Sequence, residues 1–218
     1  MKKLFYILLL ISLFISNSYG KKDFYYSFIG DDLGQISQKQ KEKIMNGNNR
    51  LKTIRRYVNE GQLGAALKQI EVFERSNKIK MLVSNIILLR CEILYKLQTK
   101  KRAIEADQIM EKAINSSKIS QDDLLEAYRL LVLIKIRINK IKDAEYYAKA
   151  IEYNFDDPLS KVYGKVALAQ IDVERREYRK AIKKLRKELI ETTSLDVATI
   201  IADELYDAYI LNKDDEKA

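Results

Sequence analysis

The chain has no histidine among its 218 residues. The side chain that most often moves protons or holds metals near neutral pH is therefore missing. What remains able to do chemistry is a set of carboxylates, bases, hydroxyls and one thiol. The carboxylates cluster twice, as Asp122, Asp123 and Glu126 and as Asp156 and Asp157. Either group is a candidate for a cation, but calcium asks for more oxygen ligands spaced along a loop. Both groups fall where helices are expected to start, so they read as acids that complement the macrodipole. The bases crowd between Arg175 and Lys187. On a helix, Arg176, Lys180, Lys183 and Lys187 share one stripe, opposite Tyr178, Ala181, Ile182 and Leu185. That stripe reads as a solvated face, with an acidic partner or anionic headgroup as the alternative. Glu174, Glu177 and Glu188 dilute its field. Cys91 is the sole cysteine and sits in an apolar run from Ile86 to Leu94. It reads as core, and it excludes an internal disulfide. No glycine-rich phosphate loop, nucleophile elbow or paired-cysteine spacing occurs. The expectation is a protein that is not an enzyme, with no cofactor, no metal and no catalytic residues. The net charge of +9 is mild and weighted to the N-terminal half, so no nucleic-acid partner is expected.

Residues of these types must be carried by some framework, and the framework is visible as a period. Ala66, Ala106, Ala144, Ala181 and Ala218 are separated by 40, 38, 37 and 37 residues. Apolar residues surround each of the first four at three- and four-residue steps, as in Ala106, Ile109, Met110 and Ala113. Those steps are helical rather than strand-like. A fixed period of this size marks stacked helix pairs, each unable to bury its apolar face alone. The fold class is therefore all-α, an α-solenoid of antiparallel helix pairs. Breakers are scarce after Gly64, where only Gly164 and Pro158 remain. Expected helices run over about 49–60, 62–75, 81–98, 101–115, 121–138, 141–154, 158–174, 176–191 and 195–211. Ser120 to Asp123 and Thr193 to Asp196 read as capping boxes, and Asp157-Pro158 as a cap followed by a first-turn proline. Asn212 to Ala218 reads as the start of one further helix.

The N-terminal region differs. Residues 1–20 combine Lys2 and Lys3, an apolar run from Leu4 to Ile15, and small residues at Ser18 and Gly20. This is the pattern of a secretory signal peptide. Its twelve residues, apolar apart from Ser12, span about 18 Å as a helix, short of a hydrocarbon core of about 30 Å. Cleavage near Gly20 is expected, with a retained anchor as the alternative. No cysteine stands there to make a lipoprotein. Abundant Lys, Ile and Asn suggests an AT-rich bacterial source, which makes the product periplasmic or secreted. Residues 21–47 read as an N-terminal arm and a short helix. Phe24, Tyr25, Tyr26 and Phe28 either pack on the first helices or dock into a partner. Ser37 caps the short helix and Asn46-Gly47 stops it. Residues 48–218 form the helical repeat domain.

Within that domain the residues resemble the tetratricopeptide repeat family. Its pattern is an aromatic, Leu-Gly and Tyr on one helix, then Ala, a large residue and Ala on the next. Tyr178, Ala181, Ile182 and Leu185, preceded by Leu168-Ala169, match it well. So do Ile93, Leu94 and Leu97 with Ala106, Met110 and Ala113. Leu131-Val132 with Ala144 and Tyr147 is a third copy. Ile54, Tyr57, Gly61, Ala66, Ile70 and Phe73 are a weaker first copy. Leu205, Tyr206 and Tyr209 open a fifth, giving about four repeats and a truncated fifth. The departures are the missing Trp, spacings above 34, and Lys135 and Asp172 where the family has Tyr.

The resemblance implies a concave groove lined by the first helix of each pair. Mapped here, that face carries Arg55 and Asn59, Tyr95 and Gln98, Arg129 and Arg137, and Tyr163 and Gln170. Leu133, Ile136, Val166 and Val173 on the same helices are anchors or plain core. The implied role is a non-enzymatic adaptor or scaffold that binds proteins of the cell envelope. The truncated fifth repeat leaves Leu205, Tyr209 and Ile210 as a contact for another chain, so a self-assembling subunit and homo-oligomer is the alternative. A helical accessory module of a cell-wall enzyme is a further one. Membrane contact is expected only through an uncleaved signal or a weak basic surface.

Overall fold

The first four spaced alanines, Ala66, Ala106, Ala144 and Ala181, are all 0% exposed. A methyl side chain lets helix axes approach closely, and larger neighbours such as Ile70, Met110 and Leu185 fill the adjoining gaps. The computed structural model describes residues 37–215. The expected signal peptide and aromatic arm, at residues 1–36, lie outside the described residues, as do the last three. The helices are α1 (Gln38–Asn59), α2 (Leu63–Ser76), α3 (Val83–Lys96), α4 (Lys100–Asn115), α5 (Leu124–Arg137), α6 (Ile141–Asn154), α7 (Pro158–Glu174), α8 (Tyr178–Glu191) and α9 (Leu195–Asp215). A 3-10 turn, Lys80–Leu82, leads into α3. No strand occurs among the described residues.

The chain divides into two compact units, Met1–Lys43 and Ile44–Ala218. The first contributes the opening turns of α1. Ser37 caps that helix reciprocally with Gln40: the Gln40 N–H donates to Ser37 Oγ and the Ser37 N–H to Gln40 Oε1. The second unit is an α-solenoid. Consecutive helices pack against one another from α2 to α9, and the first-of-pair helices also touch in series, α3 with α5, α5 with α7, and α7 with α9. Its core is correspondingly segmented. One buried cluster gathers residues from Ile54 to Ile134, a second joins Val132, Ala148 and Ile171, and a third joins Val166, Leu185 and Ile201. Such segmentation is what a quasi-one-dimensional stack produces.

The hairpin turn inside each pair has one geometry. Gly61, Gln98, Asn139 and Arg176 follow α1, α3, α5 and α7, with φ of 73°, 58°, 63° and 61°. In three of the four, the following N–H closes back on the helix at 2.8 Å: Gln62 to the Tyr57 carbonyl, Lys140 to Lys135, and Glu177 to Asp172. This is the left-handed closure that glycine adopts most easily, yet only Gly61 is glycine.

Several expectations are corrected. Asn46-Gly47 does not stop a helix, because α1 runs unbroken from Gln38 to Asn59. Gly47 is buried in it, and a Cβ there would meet Leu82 Cδ1 at 2.2 Å, so this glycine admits a close neighbour instead of ending the helix. No new helix starts at Asn212, because α9 continues to Asp215. Residues 121–123 are a turn before α5, in which Ser120 Oγ donates to Asp123 Oδ2 at 2.6 Å. The Asp157 cap is as expected: its carboxylate accepts from the Ser160 N–H at 2.8 Å, with Pro158 in the first turn.

Candidate functional site

The first-of-pair helices present a row of long polar side chains that pair across helix boundaries. Arg55 of α1 lies 3.7 Å from Glu92 of α3. Arg137 of α5 reaches back to α3, where its Nη1 donates to the Tyr95 carbonyl at 2.6 Å and its guanidinium stacks 3.9 Å from the Tyr95 ring centre. Arg129, two turns earlier on α5, stacks at 4.0 Å on Tyr163 of α7 and bonds Glu126 at 3.1 Å. Gln170 of α7 donates to Glu204 of α9 at 2.6 Å. Apart from the Arg129–Glu126 pair, which lies within α5, each contact joins neighbouring first helices, so the polar row also ties the layer together.

The row opens into a cleft of about 90 Å³ between α5, α7 and α9. Glu126, Arg129, Tyr163 and Gln170 form its polar rim, while Leu130, Leu133, Val166 and Ile200 supply apolar surface. Small-molecule pockets typically hold roughly 300–1,000 Å³, so this volume suits one or two side chains of a partner rather than a metabolite. Desolvation raises the Glu204 carboxyl above the usual range; the Gln170 hydrogen bond opposes this, and Asp207 and Asp203 add to it.

Of the residues expected in the groove, Arg129, Tyr163 and Gln170 come together here. Tyr95 and Arg137 form a second station on the same layer, and Arg55 a third. Asn59 is exposed at the end of α1. Gln98 is displaced from the groove face because it is the left-handed turn residue after α3. Leu133 lines the cleft half-buried, and Val166 is both core and cleft wall. Glu126 lies in the first turn of α5, as expected of an acid at a helix start, and its carboxylate also binds Arg129 at the rim. Ile200 and Glu204 gave no sequence signal, because their contribution depends on α9 packing beside α7.

A second set of charges is buried between helices. Lys135 is 0% exposed and holds Asp107 at 2.8 Å, Glu111, and Asp143 at 3.6 Å. Burial pushes its pKa down, but hydrogen bonds to Asp107 and Glu111 more than offset this and leave it at about 12. One repeat later the signs reverse. Buried Asp172 stands at the position of Lys135, and Lys180 stands at the position of Asp143, 2.9 Å from it. Lys184 adds a contact at 2.6 Å. Cys91 is buried, with its Sγ 3.6 Å from the Ala106 carbonyl, and burial lifts its thiol to about 12. It is a packing residue. Among the described residues no group of three or more His, Cys, Asp or Glu is placed to hold a metal ion.

At the far end of the layer, Tyr209 and Ile210 of α9 are exposed as expected. Leu205 is not. It packs half-buried against the cluster of Val197, Ile201 and Ala208, because α9 turns that side toward α8.

These features define an all-α solenoid of helix pairs with a row of polar and apolar side chains along its first-of-pair helices. No family model, curated protein or solved structure matches the chain. Among the described residues no helix is long and apolar enough to cross a membrane.

Proposed function

We propose that the protein is a non-enzymatic adaptor of the tetratricopeptide-like kind, exported to the cell envelope, which holds another protein along the inner face of its first-of-pair helices. The observation that carries this reading is the cleft between α5, α7 and α9, where a stacked Arg129–Tyr163 pair flanks apolar surface from Leu133 and Ile200. Tyr and Arg dominate the energetics of protein interfaces, and apolar ground beside them is the usual anchor site. The pre-formed stacks also lower the ordering cost of binding, since Arg129 and Arg137 are already held. The exported location rests on the charged, apolar and small-residue zones of residues 1–20.

A photo-crosslinking residue placed at Leu133 or Tyr163, in cells making the protein at native level, tests the reading. One discrete protein adduct is expected from each, and none from Lys183 on the exposed side of α8. Equal labelling from all three positions, or none from the cleft, overturns it.

A further inference from the structure

Among the described residues, five of the large apolar side chains left exposed belong to one helix: Leu195, Tyr206, Tyr209, Ile210 and Leu211 of α9. The side of α9 that faces the core carries Val197, Ile201 and Ala208. The opposite stripe runs through Asp203, Tyr206, Asp207 and Ile210, all exposed, at three- and four-residue spacing. From Val197 to Lys213 the helix has three acids against that single lysine. Desolvation and then the Asp207 charge raise the Asp203 carboxyl, so a cation arriving at this face would be favoured.

The first helix of the solenoid unit has the opposite character. From Ile44 to Asn59, α1 holds Arg50, Lys52, Arg55 and Arg56 and no acid, with Glu60 just past its end 3.8 Å from Arg56. Its core side carries Ile44, Gly47, Ile54 and Val58. Met45, Asn49, Lys52 and Arg56 recur along its exposed side at the same helical spacing, with Met45 64% exposed. One terminal helix is thus acidic with aromatic and aliphatic groups, and the other is basic with a methionine. In addition, α9 is a first-of-pair helix in a layer where each such helix from α3 onward touches the next. Another first-of-pair helix is the element that would continue the layer, and α1 is one.

We propose that the protein associates head to tail with further copies of itself, the Asp203–Tyr206–Asp207–Ile210 face of α9 seating on the Met45–Lys52–Arg56 face of α1 in the next copy. The contact joins two different surfaces, so it leaves one of each open at the ends of any chain and propagates unless the rotation closes a ring. The inference does not depend on the groove reading, since none of these residues lines the cleft.

Sedimentation of the protein purified as the cell processes it gives the test. Concentration-dependent species beyond the dimer are expected, and they should weaken as salt is raised from about 0.05 M to 0.5 M, because these charges lie at the surface. Asp203→Lys with Asp207→Lys should abolish association, as should Lys52→Glu with Arg56→Glu. Mixing the two double variants should restore association between unlike chains as a dimer, because each retains the surface that the other has lost. Circular dichroism of each variant shows whether it is folded, and the mixing result excludes simple misfolding as the cause of the loss. A closed dimer that survives Lys52→Glu with Arg56→Glu overturns the head-to-tail arrangement in favour of α9 pairing with itself. A monomer at every concentration and salt overturns the proposal outright and leaves the α9 face to a different protein.

Discussion

Lys135 has its entire side chain out of water, and three carboxylates keep it charged there. Removing one member of a buried ionic group typically costs about 3–5 kcal/mol when it leaves a charge uncompensated, but here Lys140 still holds Asp107 at 3.0 Å and Glu111 and Asp143 reach water. Lys135→Met should therefore lower stability by about 1–3 kcal/mol in urea melts. Lys180→Met should cost no more than about 1 kcal/mol, because Lys180 is half exposed and Lys184 still holds Asp172. Glu145 gives the acid-side counterpart. Hydrogen bonds from Lys149 and then Arg175 hold its carboxyl down at about 2. A depressed carboxyl stabilises above its unfolded pKa of about 4.3, and that contribution is lost as pH falls toward the folded value. The stability gap between the parent and Glu145→Gln should accordingly be constant above about pH 5 and close between about pH 4.5 and 2. The sequence showed Lys135 and Asp172 as departures from a repeat pattern. It did not show them as ion groups, because their partners come from helices up to 28 residues away.

At the scale of elements, two close approaches are open to test. A Cβ on Gly164 of α7 would lie 2.8 Å from the backbone nitrogen of Glu152 on α6. Backbone cannot swing aside, so Gly164→Ala should destabilise by about 1–3 kcal/mol. Arg176 occupies the left-handed turn after α7 with φ of 61°. The strain of such a position, about 1–2 kcal/mol, exceeds the unfolded-state entropy that glycine adds, so Arg176→Gly should stabilise by about 0.5–1 kcal/mol. Thermal melts of the two variants should move in opposite directions. Helix positions were legible because the alanine period and the three-and-four apolar steps are local signals. The turns at Gln98, Asn139 and Arg176 were less so, since three of the four left-handed turns within pairs lack glycine. The single long α1 was misread for the converse reason: Gly47 serves helix packing against Leu82 and not a break.

At the scale of the whole solenoid unit, stability should be graded rather than uniform, because the core is a series of adjoining clusters. A stop codon before Leu195 removes Val197, Ile201 and Ala208 from the cluster shared with α7 and α8. Hydrogen exchange should then rise sharply in α7 and α8, while α3 and α4 keep parental protection. A uniform rise across the unit would show a single cooperative core and contradict the stack. The inner face was partly legible at this scale. The resemblance to the tetratricopeptide pattern maps Arg129, Tyr163 and Gln170 onto first helices, whereas Ile200 enters the cleft and Glu204 meets Gln170 only through the way α9 packs on α7.

The sign reversal between Lys135–Asp143 and Asp172–Lys180 restricts how this gene can change. Repeat proteins commonly gain or lose units by recombination between similar segments. Here, excising residues 139–175 would join α5 directly to α8 in the correct turn register. It would also set Lys135 where Asp172 stands, facing Lys180 and Lys184. Lys135 would keep Asp107 and Glu111 of α4, but Lys180 and Lys184 would lose the buried carboxylate they now hold and meet an ammonium in its place. The shortened product should therefore be less stable than the parent, and charge disfavours the loss of this unit from the series.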